Sequence, residues 1–274
     1  MKSQNVKDKK FETQDRNLFE IWDEIQSVQA AFCFPQEISA YYMSPSWIRT
    51  AETVLDVGTG NGCFLNMVSE HFPGKSYTGV DISKELIEKA IRDQGTSNIT
   101  YKVQNYFDVE NRFDFVVMRL FWQHLTLKEV TEALAKLEEI TRPGSTVLIS
   151  DSWDAARIFE PDLPEFRKII SAYTQQQIEN DKDRDIVERL LKEFAQRHRW
   201  KVESDLKIIM PSTVNDNLKL FHRAYSLWIK LFECLGDLNI DYAAARQELE
   251  NWKKDFSAYT QAGLRIIRLE RLGS

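Results

Sequence analysis

Apolar residues recur along this chain at two different periods, and the change of period marks a change of architecture. After a polar stretch at residues 1–16, Leu18, Ile21, Trp22, Ile25 and Val28 fall at helical spacing and predict an amphipathic helix. Phe34-Pro-Gln-Glu37 and Tyr41-Tyr-Met-Ser-Pro-Ser-Trp47 lead from it into the core. From 51 to 151, short apolar runs alternate with helical stretches, the pattern of a parallel sheet with helices on both faces. Val54, Leu55 and Val57 mark the first strand and Tyr77–Ile82 the second. Ile99–Asn105 reads as the third, Phe113–Arg119 as the fourth, and the run ending at Asp151 as the fifth.

Beyond Asp151 the alternation stops. Phe166, Ile169, Ile170 and Tyr173 make one helical stripe, and Val187, Leu190, Leu191 and Phe194 another. Lys201–Met210 predicts a sixth strand, ended by Pro211. Leu218, Phe221, Tyr225, Trp228, Phe232 and Leu235 form a long stripe, followed by Tyr242, Ala245, Leu249, Trp252 and Phe256. Gly263–Leu269 is the last strand. The chain thus divides into a helical cap segment (1–47), a sheet core (48–151), a helical insertion (152–200) and a C-terminal completion of the sheet (201–274). Open α/β sheets bind ligands outside the carboxyl ends of their strands. The insertion falls on that edge, so with residues 17–47 it is expected to form a lid; enlarging the core or forming a dimer surface is the alternative.

Candidate chemistry concentrates where the first strand ends. Val54-Leu-Asp-Val-Gly-Thr-Gly-Asn-Gly62 is a strand running into a glycine loop that opens a helix. Gly58 and Gly60 supply positive φ, and the glycines together let the backbone approach a ligand closely. Asp81 ends the next strand about 20 residues on, where a doubly wound sheet places its ribose-binding acid. The spacing is Gly-x-Gly-x-Gly, not the dinucleotide Gly-x-Gly-x-x-Gly, and Asp56 stands two residues before the first glycine. A carboxylate there repels a pyrophosphate but suits an ammonium group, which disfavours an NAD-dependent oxidoreductase. S-adenosylmethionine carries a ribose, an ammonium and no phosphate.

At this point the chain resembles the class I S-adenosylmethionine-dependent methyltransferases. Val54–Gly62 resembles their first motif, Asp81 in Tyr77-Thr-Gly-Val-Asp-Ile82 their ribose acid, and Arg142-Pro-Gly-Ser their turn before strand five. The run Arg119-Leu-Phe-Trp-Gln-His-Leu125 is similar to the UbiE-like branch, whose members methylate quinones and other small metabolites. The resemblance covers roughly Val54 to Asp151. It implies a Rossmann-like, doubly wound α/β sheet of seven strands, the last antiparallel, with an added helical cap. One departure is Gln104-Asn105 where members often carry Gly-Asp; the Asn105 carbonyl could still accept the adenine amino group.

The cofactor-binding set implied is Tyr42, Asp56, Gly58, Thr59, Gly60, Asp81, Ile82, Asn105, Tyr106, Arg119 and Leu120. Arg119 could touch the methionine carboxylate or only salt-bridge on the surface. Tyr41, Tyr42, Trp47, Phe107, Trp122 and Trp153 could shape the pocket or simply belong to the core. His124 is the candidate catalytic residue: a neutral imidazole there could deprotonate an acceptor hydroxyl, although packing at the start of the fourth helix explains it too.

Several chemistries lack their residues. Asn/Asp-Pro-Pro-Tyr and Pro-Cys, used on nucleic-acid bases, are absent after strand four, and Met118-Arg119 stands where a catechol-type metal site needs an aspartate. No metal is expected. A net charge of −6 gives no global basic field for nucleic acid or an anionic membrane. Three scattered cysteines and no long apolar stretch fit a soluble cytoplasmic protein. The reading is therefore O- or N-methylation of a small molecule, with C-methylation allowed and a homodimer left open. A protein of the same fold that binds the cofactor without transferring from it, serving as a regulator or partner, is the alternative.

Overall fold

The computed structural model describes residues 16–42, 45–214, 216–236 and 240–273. Its first helix, α1, spans Arg16–Tyr42, longer than the stripe at 18–28 required, with Pro35 inside it. Proline deletes a backbone donor and crowds the preceding turn. The helix continues because Phe32, Cys33, Phe34, Ile38 and Ala40 are all buried around it, so tertiary packing outweighs the local defect. A short α2 (Pro45–Thr50) follows. Then come β1 (Thr53–Val57), α3 (Cys63–His71), β2 (Ser76–Asp81), α4 (Lys84–Gln94), β3 (Ile99–Val103), β4 (Phe113–Arg119), α5 (Leu127–Glu139) and β5 (Thr141–Ser152). The rest of the path is β6 (Ile158–Glu160), α6 (Pro164–Glu179), α7 (Ile186–Ala195), β7 (Trp200–Pro211), α8 (Asn217–Leu235), α9 (Tyr242–Lys253) and β8 (Tyr259–Arg271).

The strands form one sheet in the order β3-β2-β1-β4-β5-β8, with β7 on the far side of β8. β1 to β5 are mutually parallel, and β8 returns antiparallel to both β5 and β7. This is the doubly wound sheet that the alternating pattern predicted, with the antiparallel last strand that the family resemblance implied. One short strand is additional: β6 pairs with Tyr259–Gln261 at the start of β8. β8 begins before its partners on β5, which start at Leu264, and β6 takes up the edge that β5 leaves open.

Alternating residues of each strand face opposite sides of the sheet. Leu55, Val57, Val116 and Met118 pack under α5 and α7, while Val54, Phe115, Val117 and Leu148 pack under α1, α2, α3 and α4. A third cluster joins α1, α6, α8 and α9 with Phe159, Met210 and Leu264 at the sheet's edge. Aromatic contacts knit it: Trp228 stacks on Phe232 at 5.4 Å, and Tyr173 meets Trp228 at 5.7 Å. Residues 152–200 therefore divide. α6 joins this cap, but Ile186, Val187, Leu190 and Phe194 of α7 are buried on the sheet. The cap instead draws α8 and α9 from the stretch between β7 and β8.

Candidate active site

The strand order reverses between β1 and β4, and the carboxyl ends of these strands frame the site. Gly58, Gly60 and Gly62 all have positive φ, at 71°, 57° and 73°. The Gly58 and Thr59 amides donate to the Val80 carbonyl at 2.9 and 3.0 Å, fastening the loop to the end of β2. The Gly60 amide donates to Asp81 Oδ2 at 2.9 Å, and the Ser83 amide to Asp81 Oδ1 at 2.9 Å. A carboxylate offers about four acceptor sites, so these bonds leave acceptor capacity for a ligand hydroxyl.

From above, α1 grips the same loop. Gln26 Oε1 accepts from the Asn61 amide at 2.9 Å, and it would lie 2.2 Å from a Cβ on Gly60. The buried Asn61 side chain donates to Asp23 Oδ1 and Ser27 Oγ, each at 2.9 Å. Glycine at 60 is thus required twice, by its φ and by the side chain resting on it.

Asp56, at the end of β1, is buried, and burial raises its pKa to about 7 against help from Thr59 and Arg119. Burial also raises the Asp81 carboxyl, opposed by the two backbone hydrogen bonds and by Ile82's amide. Both acids are thereby primed to be stabilised by a cation or hydroxyl brought into the site.

At the end of β4, Arg119 is not a surface residue. Its Nε lies 3.0 Å from both carboxylate oxygens of Glu37, which is fully buried and also accepts from Ser150 Oγ at 2.9 Å. The guanidinium covers the Phe64 ring at 4.7 Å. The same locus burial pushes the Cys33 thiol up to about 12. Leu120 then takes a positive φ of 51° and donates to the Ser150 carbonyl at 2.7 Å, turning the chain away from the sheet. Asp151 Oδ2 accepts from the Trp122 and Gln123 amides at 3.1 and 3.4 Å, satisfying the start of the 3₁₀ turn that carries His124. Burial raises Asp151 to about 7.

A cavity of about 880 Å³ opens over these strand ends. Asp56, Gly58, Thr59, Asp81, Ile82, Asn105, Tyr106, Arg119, Leu120 and His124 line it. Gly60 does not; it lies beneath Gln26 and contributes through Asp81. Tyr42 ends α1, and its side chain, like those of Tyr41 and Trp47, lies outside the described residues. Asn105 Oδ1 already accepts from the Phe107 amide at 3.1 Å, and the Tyr106 hydroxyl donates to the Ala133 carbonyl at 3.0 Å. Tyr106 therefore presents its ring to the cavity, and Asn105 a second lone pair and its amide group. The His124 side chain is exposed at the cavity wall; desolvation by the protein around its ring, then Lys182 and Arg184, lower its pKa to about 4, so the imidazole is neutral at pH 7. Among the described residues, no group of three or more His, Cys, Asp or Glu could hold a metal ion.

The opposite wall belongs to the cap, with Trp22 from α1, Tyr173 from α6 and Tyr225 and Trp228 from α8. Arg184 donates to Gln123 Oε1 at 2.9 Å and to both oxygens of Asp154, and lies over the Tyr173 ring at 5.3 Å. Gln26, Glu37, Asn61, Asp151 and Arg184 are the residues the linear pattern did not single out. Each finds its partners far away along the chain, so the linear pattern carries no signal for them.

The family described as a methyltransferase domain matches residues 31–200, more than half of the chain. A malonyl-[acyl-carrier protein] O-methyltransferase of Anoxybacillus flavithermus is 26% identical over 125 residues, 45% of this chain and 48% of that protein. EEF1A lysine methyltransferase 2 of Danio rerio is 26% identical over 141 residues, 47% and 60% of the two chains. The chain thus spans about half the length of the curated relatives it matches. Among solved structures, magnesium protoporphyrin IX methyltransferase from Synechocystis PCC 6803, with bound SAH, is similar in fold: TM-score 0.53, 10% identity, covering 93% of this chain and 94% of that one. Helices α8 and α9 lie outside the family match.

Proposed function

This chain belongs to the methyltransferase-domain family, and from that premise we propose that it transfers a methyl group from S-adenosylmethionine to a small-molecule acceptor, at oxygen or nitrogen in preference to carbon. The observation that carries the reading is the pair of acids, buried Asp56 and half-buried Asp81, facing one cavity beside a tight glycine loop. Those residues fit the cofactor's chemistry. Asp81 keeps free lone pairs for ribose hydroxyls, Asp56 a carboxyl for an ammonium, and Arg119 a guanidinium for a carboxylate. When bound, S-adenosylmethionine supplies a methyl group already activated by its sulfonium.

The protein's own work is then to align the partners and exclude water. Alignment alone contributes about 7–11 kcal/mol in favourable intramolecular cases. The cap's aromatic wall supplies the dry surface, and its position over the strand ends favours a small molecule over a protein side chain as acceptor. No described helix is long and apolar enough to cross a membrane. Three cysteines without a disulfide favour a reducing compartment such as the cytoplasm, and a homodimer is left to sedimentation analysis.

Calorimetry with S-adenosylhomocysteine and with NAD tests the cofactor: tighter binding of NAD would sink the reading. Binding without turnover of any acceptor would favour the regulatory alternative. Asp56 makes a further prediction. Its carboxyl, with a pKa near 7 in the free protein, must ionise to meet an ammonium, so binding releases a proton below pH 7. Affinity for S-adenosylhomocysteine should rise about fivefold to tenfold from pH 6 to pH 7.5, and Asp56→Asn should flatten that slope.

Methyl transfer should also survive EDTA and need no added magnesium, since Met118 and Arg119 end β4 without a carboxylate. Rescue by Mg²⁺ after chelation would overturn this.

For His124, an imidazole whose conjugate acid has a pKa of about 4 holds a proton weakly, below the range that serves general-base catalysis at neutral pH. His124→Gln should cost less than about tenfold in turnover and leave the pH–rate profile between 5 and 8 unchanged. A loss of a rate limb in that range would restore the histidine as the base.

A further inference from the structure

One part of the cavity wall carries no charge of its own. Every charged side chain on the wall comes from the end of β1, β2 or β4, from the first turn of α4 or α5, or from the loops after β5 and α6. α1, α6, β7, α8 and β8 contribute only uncharged ones. There Phe32 of α1 meets Phe221 of α8 at 4.8 Å, and Met210 and Leu264 line the sheet side. The arginines bordering this part are each bonded to an acid. Arg157 and Arg184 share Asp154 at 2.9 and 2.7 Å, and Arg119 has Glu37 at 3.0 Å.

Several hydrogen-bonding groups of this part are already taken. Gln26 Oε1 accepts from the Asn61 amide, the Tyr225 hydroxyl is bonded to Thr260 Oγ1 at 2.8 Å, and the Tyr173 hydroxyl to Arg184. Gln29 differs. It is half-buried on the same face of α1 as Trp22 and Gln26, lines the cavity, and makes no hydrogen bond among the described residues.

An ion entering such a chamber loses its water and finds no counter-ion, whereas an apolar body is stabilised by burial. We propose that the acceptor is an uncharged, largely apolar molecule seated between α1 and α8, with a hydroxyl or carbonyl on the Gln29 amide. A few placed polar groups in an apolar pocket ordinarily fix a ligand's orientation, and Gln29 supplies one here. The proposal rests on the methyltransferase reading of this cavity and narrows its acceptor.

The test is calorimetric titration, at neutral pH, of the protein saturated with S-adenosylhomocysteine, using two sets of probes that differ only in their polar group. One set is 2-naphthalenemethanol, 2-naphthylmethylammonium and 2-naphthoate; the other is 1-decanol, decylammonium and decanoate. In at least one set the alcohol should bind about tenfold or more tightly than both ions. Gln29→Leu should weaken that alcohol about threefold to tenfold without changing affinity for S-adenosylhomocysteine. Gln29→Glu should raise the ammonium probe relative to the alcohol by about tenfold, a gain that a misfolded protein could not produce. Alcohols that do not bind, ions that bind as well as alcohols in both sets, or a preference that neither Gln29 variant alters would each overturn the proposal. If native protein failed to bind S-adenosylhomocysteine, the cofactor reading would fall instead, and the same titrations without it would still measure the chamber's preference.

Discussion

Asp81→Ala should weaken S-adenosylhomocysteine binding by about tenfold to a hundredfold, because a hydrogen bond to a charged group contributes about 1.5–3 kcal/mol. Two effects add at this position. The ribose hydroxyls would lose their acceptor, and the Gly60 and Ser83 amides would lose theirs, each now bonded at 2.9 Å. Asp81→Asn separates them. It keeps one side-chain oxygen for a backbone amide but removes the charge, so it should fall between alanine and the native protein. Unchanged affinity in Asp81→Ala, measured by calorimetry, would remove Asp81 from the binding site.

Arg119→Met should cost about 3–5 kcal/mol of stability, the usual result of leaving one member of a buried ion pair alone. Glu37 would remain at zero exposure with only Ser150 Oγ to stabilise its charge. Glu37→Leu takes the carboxylate away from the guanidinium and is also destabilising. The double variant should lose clearly less than the sum of the two, since it removes both charges together. Urea denaturation of the four proteins measures the cycle. Additive losses would mean that the two side chains do not depend on each other, despite their 3.0 Å contacts.

Local pattern carried most of the sheet. Short apolar runs placed β1 to β5 and the last strand because a buried parallel strand is nearly continuous in hydrophobic residues, and few other elements are. The glycine loop and Asp81 were legible for a different reason, since backbone geometry at a strand-to-helix turn demands particular residues at particular offsets. What stayed hidden depends on partners far away in the chain. Glu37 meets Arg119 across 82 positions and Ser150 across 113, so nothing near Glu37 marks it as buried. α7 shows the same helical periodicity as α6, yet one covers the sheet and the other the cap, because a stripe states that a face is buried without stating against what. α1 passing through Pro35 reversed a local rule, with the burial of its neighbours as the cause.

The reach of α1 has a consequence for modularity. One continuous helix secures the glycine loop through Asp23, Gln26 and Ser27, neutralises the end of β4 through Glu37, and packs along α8. A fragment beginning at β1 would hold every signature residue of the nucleoside site and still lack the surfaces that shape it. Asn61 would face water in place of its three anchors, and Arg119 would lose its carboxylate. The smallest autonomous unit of this protein therefore starts upstream of its recognisable motifs, and grafts or truncations that treat the sheet as a portable part should discard function along with the helix.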